Sequence, residues 1–176
     1  MGEAMADAIG ELTARIARLE DVEAIRRLKA RYLRACDLKQ VEAVRDCFPE
    51  GPIRIEYQGF PLFTDRDAFV ETYREMACRG GVYDLHHASN AEIEITGPDS
   101  ATGLWSLNFR TILLETRTIT QLAVEYEDAY VRRDGRWLIA ATVSRITSFL
   151  TEEIDEAGFS HFVAWGSVPQ EPGVAA

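Results

Sequence analysis

Residues 118–149 read TITQLAVEYEDAYVRRDGRWLIAATVSRITSF, and this stretch decides the fold. Apolar and polar side chains alternate through Thr118–Arg132 and again through Arg136–Phe149, the two-residue period of strands with one face on a core. Between them, Arg133-Asp134-Gly135 carries the Asp-Gly pair favoured in two-residue hairpin turns, whose central residues both need positive φ. The pattern predicts two long antiparallel strands. Face by face, Leu122, Val124, Tyr126, Asp128 and Tyr130 share one side of the first strand. Trp137, Ile139, Ala141, Val143, Arg145 and Thr147 share one side of the second.

Upstream, strands are expected around Leu85–Ile95 and Ala101–Leu114, divided by the turn residues Gly97-Pro98-Asp99-Ser100. The N-terminal half has a different period. Ile9, Leu12, Ile16 and Leu19 recur at alternating spacings of three and four, a narrow apolar stripe on a helix. That stripe fits either a surface helix packed on its own domain or a helix paired with another subunit. Asp21 reads as the N-cap of a second helix carrying Val22, Ile25, Leu28, Tyr32 and Cys36, with Arg and Lys on its other faces, ending near Asp37-Leu38. A short helix over Val41–Phe48, a break at Pro49-Glu50-Gly51-Pro52, a strand over Ile53–Tyr57 and a helix over Asp65–Cys78 stopped by Gly80-Gly81 complete this half. Helices first and antiparallel strands afterwards make the class α+β, with N-terminal helices covering one face of a curved sheet. The organisation expected is an N-terminal helix over 1–20, one domain over 21–150 and a tail over 151–176. In the tail, Phe159, His161, Phe162 and Trp165 fit either an aromatic anchor on the domain or a neighbour, or a lid over a cavity.

At 176 residues the chain supports one well-filled core. A net charge of −10 opposes binding to nucleic acid, which needs clustered Lys and Arg. No stretch approaches the roughly 20 apolar residues of a membrane span, and the acidic N-terminus does not resemble a signal peptide, so a cytoplasmic protein is expected. Cys36, Cys47 and Cys78 have neither paired nor metal-type spacing and read as core residues. Three histidines with no HExxH or spaced Cys/His set predict no metal, and the absence of GxGxxG, P-loop and GxSxG patterns predicts neither a nucleotide cofactor nor a serine hydrolase. What remains is an acid/base pocket working without a cofactor.

Two of the histidines, His86 and His87, are adjacent just ahead of Ala91-Glu92-Ile93-Glu94-Ile95. Alternation counted back from Ile93 turns His87 inward; a bulge near Ser89-Asn90 inverts the assignment to His86. Arg145 falls on the apolar side of its strand and needs an anion, either a structural partner such as Asp128 or a substrate group. Tyr32 and Asp37 lie five residues apart, roughly 140° around an ideal helix, so they converge only where the helix loosens.

The order of these features, Tyr32-x-x-x-x-Asp37 on a helix followed by His86-His87-Ala88-Ser89-Asn90 and long strands, resembles the SnoaL-like group of the nuclear-transport-factor-2-like superfamily. The nearest patterns are those of dehydratases and dehydrochlorinases. The resemblance covers about residues 10–150 and implies a cone-shaped α+β barrel. It implies that Asp37 orients a catalytic His, and the spacing to Asn90 selects His86 with a bulge behind it. By the same resemblance Tyr32 hydrogen-bonds substrate, and Arg145 holds an anionic group or a developing enolate. Tyr57, Trp105, Phe109 and Tyr126 are candidate walls of the substrate pocket. The expected protein is a cofactor-independent lyase or isomerase for a small hydrophobic polycyclic or aromatic substrate, forming a homodimer or homotrimer. The alternatives are a non-catalytic binding or assembly module of the same fold, or the small partner of a Rieske-type oxygenase.

Overall fold

The alternating stretch forms the centre of the sheet. In a computed structural model describing residues 2–166, α1 (Gly2–Asp37) and α2 (Val41–Arg45) lead into β1 (Pro52–Tyr57), β2 (Phe63–Asp65) and α3 (Arg66–Ala77). Then follow β3 (Val82–Gly97), β4 (Ser100–Leu113), β5 (Thr118–Arg133), β6 (Arg136–Ile154) and β7 (Ser160–Gly166). The sheet order is β2-β1-β6-β5-β4-β3, with β7 also paired to β6. The sheet is curved and unclosed, with α1 packed against β3 and β6 and α3 against β1 and β2, the cone of an α+β fold. Asp134 and Gly135 take φ of 49° and 73°, the turn their sequence demanded. Asp65 caps α3 by accepting the Ala68 N–H at 2.8 Å. One junction departs from the antiparallel expectation: β1 pairs with β6 in parallel, Arg54 opposite Ala141.

The helix break expected at Asp21 is absent, and α1 is continuous over 36 residues. Asp21 serves as a tether instead. Its carboxylate accepts the Trp137 indole N–H at 2.9 Å and an Arg132 N–H at 2.5 Å, charge-assisted bonds that offset the small helix cost of an internal Asp. Beyond this tether, Ile25, Leu28, Tyr32 and Cys36 are buried against the sheet. Burying such side chains contributes roughly 1.5–3 kcal/mol each, which fixes the C-terminal half of α1 in place.

The tail also differs from expectation. Strand β6 continues to Ile154, and β7 folds back on it, with Phe149 opposite Gly166. Phe159, Phe162 and Trp165 stay largely exposed, so they neither anchor on the chain's own core nor close a cavity. The Pro/Gly-rich end, residues 167–176, lies outside the described residues. Among those described, no helix is long and apolar enough to cross a membrane.

Candidate active site

Helix α1 ends in a Schellman arrangement. Gln40 N donates to Ala35 O at 2.9 Å and Lys39 N to Cys36 O at 3.2 Å, with Lys39 in the left-handed region at φ 57°. Glycine would adopt that φ without strain, but the lysine supplies an ammonium that pairs with Asp84 on β3. Two residues earlier on α1, Asp37 Oδ1 stands 2.6 Å from His86 Nδ1, and Asp37 Oδ2 accepts the His86 backbone N–H at 3.2 Å. Residues 37 and 39 thus grip residues 86 and 84, holding helix end and strand at two points.

The side chain of His86 faces inward because β3 contains the bulge. Ser89 pairs with Ser106 and Glu92 with Leu104, so Asn90 and Ala91 together oppose Trp105. Asn90 takes φ 51°, a conformation asparagine tolerates better than most residues. The extra residue shifts parity: Ala91, Ile93 and Ile95 stay inward on one side of it, and Asp84, His86 and Ala88 on the other. His87 is exposed.

α1 stays helical through Asp37, whose carboxylate bonds His86, while Tyr32 lines the cavity, so no loosening of the helix is needed. A carboxylate only accepts, so Nδ1 carries the proton toward Asp37 and Nε2 of a neutral imidazole is left as an acceptor. The His86 ring packs on Phe109, centroids 4.7 Å apart, and lines a cavity of about 230 Å³. Leu107, Leu122, Val124 and Ile146 from the sheet and Phe69 and Met76 from α3 make most of its surface apolar. Tyr32, Tyr57 and Tyr126 also line it, and the Tyr32 and Tyr57 hydroxyls hydrogen-bond at 2.8 Å. One of that pair donates to the other, so the accepting hydroxyl keeps its own proton for a third group. Burial, reinforced by the neighbouring tyrosines, pushes Tyr32 and Tyr57 well above the ordinary phenol pKa, and burial does the same to Tyr126. These phenols are hydrogen-bond donors, not bases. Cys36 also faces the cavity, with burial raising its thiol pKa, so it is no thiolate nucleophile. Among the described residues, no group of three or more His, Cys, Asp or Glu is arranged to hold a metal ion.

A SnoaL-like domain model matches residues 17–143, a span running from the middle of α1 into β6. The chain belongs to the SnoaL-like family. Its fold matches a candidate scytalone dehydratase from Novosphingobium aromaticivorans at 23% identity and TM-score 0.69, covering 75% of this chain and 87% of that one. A hexachlorocyclohexane dehydrochlorinase from Novosphingobium barchaimii matches at 19% and 0.69, covering 77% and 92%. A candidate dehydratase of the nuclear-transport-factor-2-like family from Streptomyces avermitilis matches at 13% and 0.62, covering 71% and 95%.

Two residues expected at the site of this SnoaL-like chain stand elsewhere. Arg145 is exposed and donates to Glu127 at 2.6 Å; it neither lines the cavity nor pairs with Asp128. The cause is a bulge in β6: Ile139 pairs with Tyr130 and Ala141 with Ala129, leaving Ala140 unpaired. Past that point Thr142, Ser144 and Ile146 turn inward, and Arg145 turns out. Trp105 is buried but outside the cavity lining, its indole N–H donating to the Tyr130 hydroxyl at 2.9 Å. Asp128 binds Lys29 instead, at 2.7 Å, and accepts the Tyr130 hydroxyl at 2.6 Å. Lys29 is fully buried, not on a solvated helix face, with its ammonium 4.0 Å from the Tyr126 ring centroid. The signal for it was present: Lys29 lies four residues after Ile25 and three before Tyr32, inside the apolar stripe. Sequence reading also missed Asp84, which shares the strand parity of His86, and Ser144 beyond the β6 bulge.

Proposed function

We propose that the protein is a cofactor-independent lyase or isomerase that removes a proton from carbon in a small hydrophobic cyclic substrate. The observation that carries this reading is the 2.6 Å contact between Asp37 and His86 at the wall of an apolar cavity. His86 Nε2 takes a proton from a carbon next to a carbonyl, and Asp37 stabilises the imidazolium that forms. The C–H electron pair moves toward the carbonyl oxygen, which accepts a hydrogen bond from the Tyr32–Tyr57 pair as its charge develops. Collapse of that enolate forms C=C and expels a β-hydroxyl, which receives the proton from His86 and departs as water. Return of the proton to a different carbon makes the same step an isomerisation.

The neighbours support an elimination, since one is a candidate scytalone dehydratase and another a hexachlorocyclohexane dehydrochlorinase. A carboxylate-oriented imidazole facing a cavity suits a general base, because the carboxylate fixes its tautomer and stabilises its protonated form. The test is turnover of bicyclic β-hydroxyketones. His86→Ala is expected to fold normally and lose about 10³-fold in kcat. Undiminished turnover in that variant excludes His86 as the base.

A further inference from the structure

The apolar stripe on the first half of α1 has no partner among the described residues. Met5, Ile9, Leu12, Ile16 and Leu19 are each more than half exposed, although α1 is docked on the sheet from Ile25 onward. The docked side of this segment is marked by Arg18, which donates to Ile95 O at 3.3 Å. On an ideal helix Ile16, Leu12 and Ile9 lie roughly 160°, 120° and 180° around from Arg18. The stripe therefore faces away from the domain, where an unpartnered helix of this length is only marginally stable in water.

We propose that this stripe zips against the same stripe of a second copy, as a parallel two-stranded coiled coil over residues 2–20. The spacings of four, three, four and three from Met5 to Leu19 are heptad spacings, with Ile9 and Ile16 at a and Met5, Leu12 and Leu19 at d. Ile at a with Leu at d is the combination that favours two parallel strands. Charge fixes the same arrangement. Arg15 occupies a g position and Glu20 the e position five residues on, so in a parallel pair each Arg15 faces the partner's Glu20, twice by symmetry. Both side chains are exposed. The heptad stops where docking starts: the next a and d positions are Glu23 and Arg26, and Asp21 ties α1 to Arg132 and Trp137. Residues 2–20 thus bind a second copy, and residues 22–37 bind the chain's own sheet.

The full-length chain carries the test. Under mild oxidation Ile16→Cys is expected to run almost entirely as a disulfide-linked dimer, since in-register a positions face each other, while the wild type with its three native cysteines gives the background. Sedimentation equilibrium is expected to show Arg15→Glu self-associating about tenfold more weakly, with association restored in Arg15→Glu/Glu20→Arg. No cross-linking above background, or equal association of wild type and Arg15→Glu, overturns the proposal. So does a trimer, or a different protein occupying the stripe.

Discussion

Two of the charged side chains that helix α1 sends into the domain, Lys29 and Asp37, lie eight residues apart, and their surroundings separate them. Lys29 and Asp128 are sealed from solvent, and the pair is also met by cation–π approaches of the ammonium to the Tyr126 and Tyr32 rings and by the Tyr130 hydroxyl. Asp37 and His86 are each partly exposed, and the imidazole borders a cavity. Both pairs join helix to sheet, but only the second leaves an acceptor atom facing open space. The buried pair has the features of an anchor; the pair that orients an imidazole toward a cavity has those the proposed reaction needs.

That contrast is open to several tests. The largest effect is expected at alkaline pH, because Tyr126 and Tyr130 border the anchor and Tyr32 the cavity. Burial raises the pKa of all three. Unfolded tyrosines lose their protons near pH 10 while the folded ones hold theirs, so stability is complete below about pH 10 and falls as pH rises further. Each buried tyrosine contributes a slope of about 1.4 kcal/mol per pH unit, and urea titrations at pH 9 and pH 11 read it out. Next, Lys29→Met strands a buried carboxylate and is expected to cost about 3–5 kcal/mol in urea unfolding, with most of it recovered in Lys29→Met/Asp128→Leu. Asp37→Asn is the converse case: stability shifts by about 1 kcal/mol while kcat falls about 10²-fold, because the imidazolium loses its counter-charge. Arg145→Ala is the smallest, within about 0.5 kcal/mol of wild-type stability and with activity unchanged, since its pair with Glu127 lies on the surface.

The helix-then-strand order and the Asp-Gly hairpin were legible because each depends on residues close in sequence. The pairing of His86 with Asp37 was reachable only through a resemblance, since strand parity alone pointed to His87. Parity fails wherever a bulge intervenes. The one at Asn90–Ala91 was anticipated from the family spacing, whereas the one at Ala140 carried no local signal and placed Arg145 on the wrong face. Lys29 was misread for a different reason: a long side chain in an apolar stripe looks solvated until its partner, 99 residues away, is known. The Lys39–Asp84 pair likewise depends on where α1 ends in space.

The most direct test of the dyad is deuterium uptake from D₂O at the carbon next to the carbonyl of bicyclic β-hydroxyketones that the protein binds. The wild type is expected to exchange that hydrogen and eliminate water, while His86→Ala binds the same ketone and exchanges it about 10³-fold more slowly. Exchange no faster than in buffer, or exchange that survives His86→Ala, would contradict His86 as the base held by Asp37.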